Sequence, residues 1–173
     1  MKKISFLIIG LFISAFTSAQ IPSSDVVSAA MPNGAKLLTK EQLQSFTKNN
    51  YKRSQIPTDK KNIYQLDGVL ISFWDLSVNP GFERSLQASQ SEMLGYLGRN
   101  SENTINYSKI IKVNNIQFLL CEYQKQDEVF LWVKSDLNKS NKYISGVVQF
   151  KKPDEDNAQR ALETFLGSVH FKE

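Results

Sequence analysis

The 173-residue sequence is poor in the side chains that most often bind metals or act as nucleophiles, with a single cysteine, Cys121, and a single histidine, His170. One thiol cannot form an intramolecular disulfide, so packing alone must stabilise the fold. A zinc site takes three or four histidine, cysteine or carboxylate ligands, which argues against one here. Cys121 lies inside an apolar run and is interpreted as a small buried residue. We therefore expect no metal site and no cofactor site.

Motifs of the common reaction classes are also missing. The sequence has no G-x-S-x-G nucleophile elbow, and its 8 glycines are scattered rather than gathered in a phosphate-binding loop. The acidic run from Asp154 to Asp156 lacks the glycine and distal glutamate of an EF-hand loop, and is interpreted as acids favouring a helix N-terminus. We expect no catalytic residues and no enzyme. A hydrolase that uses a carboxylate pair or Glu122 is the third of three functional hypotheses.

The charge balance is close to neutral. Removing the first 19 residues lowers the formal net charge from +4 to +2, since that segment contains two lysines and no acid. Nucleic acid is therefore not an expected partner. Two small basic clusters are interpreted mainly as solvated loops, with weak contact to an anionic membrane surface as the alternative. They comprise Lys48, Lys52, Arg53, Lys60 and Lys61, and the pair Lys151 and Lys152.

The N-terminus has the pattern of a cleaved export signal. Two lysines precede an apolar run from Ile4 to Phe16, and residues 17–19 supply small side chains for a signal peptidase. The run is shorter than the roughly 20 residues that a membrane-spanning helix needs. We predict cleavage between Ala19 and Gln20, a periplasmic or secreted protein, and no transmembrane segment in the mature chain. No cysteine follows the cut, so no lipid anchor is expected.

After the signal, residues 20–35 mix small and polar side chains with two prolines and a glycine, which predicts a flexible leader. Residues 36–173 are predicted to form one domain, because a chain of about 150 residues can bury roughly 68–70% of its unfolded surface. The first helix should begin after Thr39, which can form a capping box with Gln42. It should end near Asn49.

Turn residues divide the rest of the domain. Asp67-Gly68 predicts a hairpin within residues 62–76, with positive φ at both turn residues. Asn79 is predicted to cap a second helix, with Pro80 as its first residue and Gly98 at its end. Four strands and a last amphipathic helix complete the chain. We place the strands at 105–113, 116–124, 128–135 and 142–150, and the helix at 154–166, closed by Gly167.

The strands of the second half are apolar on both faces. Residues 129–133 read VFLWV, and in residues 116–123 both alternating sets of side chains are largely apolar. A sheet with one wetted face would alternate apolar and polar residues instead. With amphipathic helices on either side, this pattern predicts a three-layer α/β/α sandwich of the α/β (α+β) class, with a mostly antiparallel central sheet.

The central segments IIKVNNIQFLLCEYQ, VFLWVKS and KYISGVVQF, followed by NAQRALETFLGSVHF, resemble the PsbP/Mog/DcrB-like superfamily over residues 35–173. The resemblance implies a mostly antiparallel sheet between helices, used by relatives to bind or assemble protein complexes rather than to catalyse reactions. It transfers no functional residue to this chain. The chain departs from the DcrB-like lipoproteins because it has no cysteine at the cleavage site.

Together these features favour a non-catalytic exported binding or assembly protein of the bacterial cell envelope, with a protein partner. The alternative is a carrier that holds a small apolar ligand in a cavity between sheet and helices. Aromatic residues of the strands are normally core, yet they are also the candidates to line such a cavity. These residues are Phe73, Trp74, Phe118, Phe130 and Trp132.

Overall fold

The computed structural model describes residues 24–57 and 59–172, and the predicted signal peptide at residues 1–19 lies outside them. The described chain forms nine strands and three α-helices, with a short 3-10 turn at Lys152–Asp154. The elements are β1 (Val27–Ser28), β2 (Lys36–Leu37), α1 (Lys40–Asn50), β3 (Asn62–Leu66), β4 (Val69–Ser77), α2 (Leu86–Gly98), β5 (Thr104–Val113), β6 (Ile116–Lys125), β7 (Glu128–Ser135), β8 (Lys142–Lys151), α3 (Glu155–Ser168) and β9 (His170–Phe171).

Seven strands form one antiparallel sheet in the order β2-β3-β4-β8-β7-β6-β5. The strands from β5 to β8 form the expected meander, and β4 of the first hairpin pairs with β8. Strands β1 and β9 pair separately as a two-stranded antiparallel ribbon. No helix of the described chain is long and apolar enough to cross a membrane.

Helices cover both faces of the sheet. Val129, Leu131 and Val133 of β7 belong to the large core that α3 closes. Phe130 and Trp132, which alternate with them, pack instead with residues of α2 on the opposite face. The α1 side chain Leu43 is buried on that same opposite face, together with Leu70 of β4 and Val147 of β8. The predicted α/β/α sandwich with an antiparallel sheet is therefore confirmed, and we call its two sides the α3 face and the groove face.

The local signals for α1 and for the first hairpin are only partly matched. Thr39 caps α1, and Gln42 completes the capping box. Asp67 has φ of 50°, but Gly68 lies outside the left-handed region, so the prediction of positive φ at both turn residues is wrong. A Cβ added at Gly68 would meet the carboxylate of Asp154, so a larger residue here would require that side chain to shift.

The second helix begins six residues later than its first cap signal suggested. Ser85, not Asn79, is the N-cap, and its side chain accepts from the amide of Ala88 at 3.1 Å. Residues 79–82 form a turn in which the Phe82 amide donates to Asn79 O, and Gly81 has φ of 86°. Pro80 therefore serves the turn rather than the helix, while the predicted end at Gly98 is confirmed.

The described part of the predicted flexible leader is packed into the fold. Val26, Val27, Ala29, Met31 and Ala35 are buried in the core of the α3 face. The prediction of a flexible leader is therefore wrong for residues 24–35, and the domain begins before the predicted residue 36. We call residues 24–31 the N-terminal strap.

Candidate functional site

The groove face carries a depression over the sheet, bounded by α2 on one side and by the loop after α1 on the other. Its volume is about 560 Å³, within the range of small-molecule pockets. We call it the sheet groove. It is lined by Arg53, Gln55, Ser89, Glu92, Met93, Tyr96, Leu97, Arg99, Asn100, Asn103, Leu119, Cys121, Tyr123, Lys125, Phe130, Trp132, Val133, Lys134 and Ser145.

The floor of the groove is built by the register of β6 and β7. Cys121 lies opposite Trp132, and Tyr123 lies opposite Phe130. Since alternate residues of a strand share a face, these four side chains project to the same side of the sheet. The rings of Tyr123 and Phe130 are stacked with centroids 5.1 Å apart. The floor is therefore apolar and largely aromatic.

Trp132 lies between the two helices at the centre of this floor. Its ring meets that of Trp74 edge-on, with centroids 6.4 Å apart, and Trp74 packs against the core beneath α1. On the other side Trp132 packs with the cluster that contains Met93 and Leu97 of α2. Trp132 thus remains half-buried where α1 and α2 leave the sheet uncovered.

Lys134 brings a positive charge to one end of the floor. It pairs with Leu119 and Ser145 across the sheet, and its Nζ donates to Ser89 Oγ at 2.8 Å. The ammonium lies 4.8 Å from the centroid of the Tyr143 ring. Burial lowers the pKa of Lys134, because a half-buried ammonium loses hydration.

The other end of the groove is also basic. Arg53 and Lys125 both form ion pairs with Glu102, Arg53 at 3.5 Å. Arg99 lies over the ring of Tyr96, with its guanidinium carbon 5.9 Å from the centroid. Of the predicted basic cluster at residues 48–61, Arg53 is therefore the member that lines the groove.

The three residues considered for catalysis are separated by the sheet. Cys121 is buried on the groove face, where desolvation raises the pKa of its thiol. Glu122, the next residue of β6, pairs with Leu131 and Tyr107 of the α3 face. His170 is exposed on β9, where it pairs with Ser28 of the strap. The fold does not assemble these three side chains into one site.

Glu122 is held by its neighbours in a smaller cavity of about 270 Å³ on the α3 face. The side chain is buried, and its Oε1 accepts from Asn106 Nδ2 at 2.8 Å. Desolvation, together with the nearby Glu122 carboxylate, raises the pKa of Tyr107 well above its usual range. Glu155 also lines this cavity, but it pairs with Lys152 at 2.7 Å.

The acidic run from Asp154 to Asp156 spans the end of the 3-10 turn and the first turn of α3. Over residues 24–57 and 59–172, no group of three or more histidine, cysteine or carboxylate side chains could hold a metal ion. Glu155 and Asp156 lie in the first turn of α3, where their carboxylates interact favourably with the positive end of the helix.

The aromatic candidates divide between the two faces. Phe130 and Trp132 line the groove, and Trp74 contacts Trp132. Phe73 and Phe118 are core residues of the α3 face. Sequence reasoning missed Lys134, although the alternation of Phe130, Trp132 and Lys134 along β7 was a signal that all three share a face.

No protein-family model and no curated protein matches this chain. The fold is similar to the solution structure of cyanobacterial PsbP (CyanoP) from Synechocystis sp. PCC 6803, with a TM-score of 0.56 and 10% identity over 91% of this chain and 96% of that chain. It is also similar to LpqN of Mycobacterium tuberculosis, described as involved in cell envelope biogenesis, with a TM-score of 0.52 and 8% identity over 85% of this chain and 83% of that chain. The chain therefore has a PsbP-like α/β fold, as the sequence resemblance predicted.

Proposed function

We propose that this chain is a non-catalytic exported binding protein of the bacterial cell envelope, and that the sheet groove holds its ligand. The observation that carries the proposal is the half-open groove of about 560 Å³ over an aromatic floor. Concave sites of this size with an apolar lining and a few polar groups are typical of small-molecule binding. The groove favours the carrier hypothesis over a flat docking surface for a protein partner.

Export and envelope location rest on separate support. The first 19 residues have the composition of a cleaved signal peptide. LpqN, which shares the fold, is described as involved in cell envelope biogenesis. A ligand-binding role outside the cytoplasm accords with both observations.

The non-catalytic part of the proposal rests on where the reactive groups lie. The Cys121 thiol is kept protonated by burial, and its neighbour Glu122 faces the opposite side of the sheet. His170 lies beyond α3, on the β1-β9 ribbon. A nucleophile needs a base within hydrogen-bond reach. At these positions neither Glu122 nor His170 can serve as the base for Cys121.

The test is native mass spectrometry of the mature protein purified without detergent from an envelope fraction. We expect a population heavier than the polypeptide by the mass of a small molecule. Met93→Trp, which fills the groove from α2, should abolish that population. Glu163→Trp, on the exposed surface of α3, should retain it and serves as the matched control.

Two results would contradict the proposal. One is a bare polypeptide mass for the wild type and for both variants. The other is a heavier population that survives Met93→Trp unchanged, since the ligand would then lie elsewhere. If gentle crosslinking instead captures a protein, and Met93→Trp alone prevents the capture, the assembly hypothesis replaces the carrier hypothesis.

A further inference from the structure

We propose that the ligand of the sheet groove is an amphiphilic anion, with an apolar body on Trp132 and Met93 and a carboxylate on the ammonium of Lys134. This inference rests on the proposed function, because it names the chemical class of what the groove holds. It follows from the arrangement of charge along the floor.

The first step is the spacing along β7. Phe130, Trp132 and Lys134 alternate on the groove face, and all three line the groove. At about 3.3 Å per residue, the first and last of them are about 13 Å apart along the strand. Phe130 is itself buried, so an extended molecule lying on this strand would meet the half-buried ring of Trp132 and then the cation.

The second step is the electrostatic state of Lys134. The ammonium is half-buried and donates to the neutral hydroxyl of Ser89 at 2.8 Å. Within the described chain, no carboxylate lies within 4.0 Å of its Nζ. Glu92 acts on Lys134 only from a longer distance. A half-buried cation with no carboxylate in direct contact favours an anion beside it.

The third step concerns the acids and the other cations near the groove. Glu92, which also lines it, pairs with Arg84 at 2.6 Å. At the far end, Arg53 and Lys125 already share the carboxylate of Glu102. Arg99 also lines the groove, but it is exposed and lies over the Tyr96 ring. Lys134 is therefore the half-buried cation of the described groove with no carboxylate within 4.0 Å, and the head of the ligand is placed there.

The apolar body and the charged head make separable contributions to binding. An aliphatic or aromatic body gains from contact with the half-buried side chains of Trp132 and Met93 whatever its charge. The ammonium of Lys134 adds a charge-assisted hydrogen bond only if the head is anionic. A carboxylate should therefore bind more tightly than the alcohol of the same chain length.

The experiment titrates the folded mature protein with decanoate and with decanol, each below its aggregation limit, by calorimetry and tryptophan fluorescence. Trp132 and Trp74 are the 2 tryptophans of the sequence and touch each other, so the emission reports on the groove. We expect decanoate to bind about tenfold more tightly than decanol, as one charge-assisted hydrogen bond predicts. Acetate, which has the head without the body, should not produce the fluorescence change.

Three variants isolate the charge. Lys134→Met should weaken decanoate binding about tenfold, to the affinity of decanol, and should leave decanol binding unchanged. Lys134→Arg should keep most of the preference for decanoate. Lys139→Met removes an exposed lysine of the β7–β8 loop and should change neither affinity. Circular dichroism and the urea midpoint establish that each variant is folded.

The possible failures are distinguishable. If decanol and decanoate bind equally to the wild type, and Lys134→Met binds both as well, the anion inference is wrong while the proposed function stands. If neither binds to the folded wild type, and native mass spectrometry shows no retained ligand, the proposed function is wrong as well. If Lys139→Met weakens decanoate as much as Lys134→Met does, the effect is one of net charge and the assignment to Lys134 is overturned.

Discussion

The side-chain amide of Gln149 fixes the backbone of Arg53 on the rim of the sheet groove. Gln149 is fully buried in β8, and its Nε2 donates to Arg53 O at 2.6 Å. Its Oε1 accepts from the amide of Gln55 at 3.2 Å. Both ends of one amide thus anchor the loop after α1 to the floor of the sheet, and so determine one wall of the groove.

Gln149→Leu should destabilise the protein and loosen this wall. The substitution replaces the amide with an apolar side chain of similar size and removes both hydrogen bonds. We expect a loss of about 1–3 kcal/mol in the free energy of unfolding. Urea denaturation measures the loss. Gln117→Leu, at an exposed position of β6, is the matched control and should change stability little. Equal stability of both variants would contradict the anchoring role.

Tyr51 ties the end of α1 to the same place. Its hydroxyl donates to Gln149 O at 3.1 Å and also to Gly68 O. Burial, and to a smaller degree the carboxylates of Asp154 and Glu128, raises the pKa of Tyr51 well above its usual range. The folded state therefore holds this proton at a pH where the unfolded chain, with a pKa of about 10, releases it.

The sign of the pH effect follows from that difference. Tyr51 contributes its full stabilisation below the unfolded pKa and loses it as pH rises from about 10 toward the folded pKa. The buried Tyr123 and the half-buried Tyr107 also have raised pKa values and act in the same direction. We expect the wild type to lose stability above pH 10 and Tyr51→Phe to lose it less steeply.

The measurement is the free energy of unfolding by urea at several pH values from neutral to alkaline. Tyr51→Phe should be less stable than the wild type near neutrality, because the donation of the hydroxyl proton to Gly68 O and Gln149 O is lost, and the gap should narrow as pH rises. Tyr96→Phe, at an exposed position of α2, should follow the wild-type curve. Parallel curves for the wild type and Tyr51→Phe would contradict the assigned pKa shift.

The sequence predicted those elements whose signals are local. The capping box of Thr39 and Gln42 appears as expected. Asn114 and Asn115, which separate the predicted strands 105–113 and 116–124, have φ of 49° and 64°, a conformation that asparagine tolerates. The start of α2 was missed because Asn79 and Ser85 are both good caps. The glycine at position 81, with φ of 86°, decides between them by forming a turn.

The strap was missed for a different reason. Its apolar residues follow neither the helical nor the strand period, since they enter the core from an irregular segment. The floor of the groove was readable from the alternation along β7. The width of the groove could not be predicted from the sequence. It depends on the separation of α1 and α2, which is set by long-range contacts such as those of Gln149 with the loop after α1.

Substitution by alanine at two glycines, Gly146 and Gly95, should change the stability of the protein in opposite directions. In β8, a Cβ at Gly146 would lie 2.7 Å from Ser72 O and 3.1 Å from Phe73 Cβ. Gly146→Ala should therefore cost about 1–3 kcal/mol by overpacking. In α2, a Cβ at Gly95 meets nothing within 4 Å, and Gly95→Ala should stabilise the helix by about 1 kcal/mol.

Thermal and urea unfolding of the two alanine variants measures this difference directly, since each serves as the control for the other. A stable Gly146→Ala protein would mean that β4 and β8 can separate without loss. A destabilised Gly95→Ala protein would mean that the open side of α2 is occupied in the folded state.

The N-terminal strap should contribute to global stability rather than act as a tether. Ser24 Oγ donates to Asp75 Oδ1 at 2.7 Å, the amide of Lys172 donates to Val26 O at 2.9 Å, and Met31 is 1% exposed. Met31→Ala should cost about 2–5 kcal/mol, as expected for a truncated core side chain. Asn33→Ala, at an exposed position two residues on, should change stability by less than about 0.5 kcal/mol. Equal urea midpoints for Met31→Ala and Asn33→Ala would contradict this role. They would show that the strap detaches without cost, since Met31 stabilises the protein only while the strap is packed on the core.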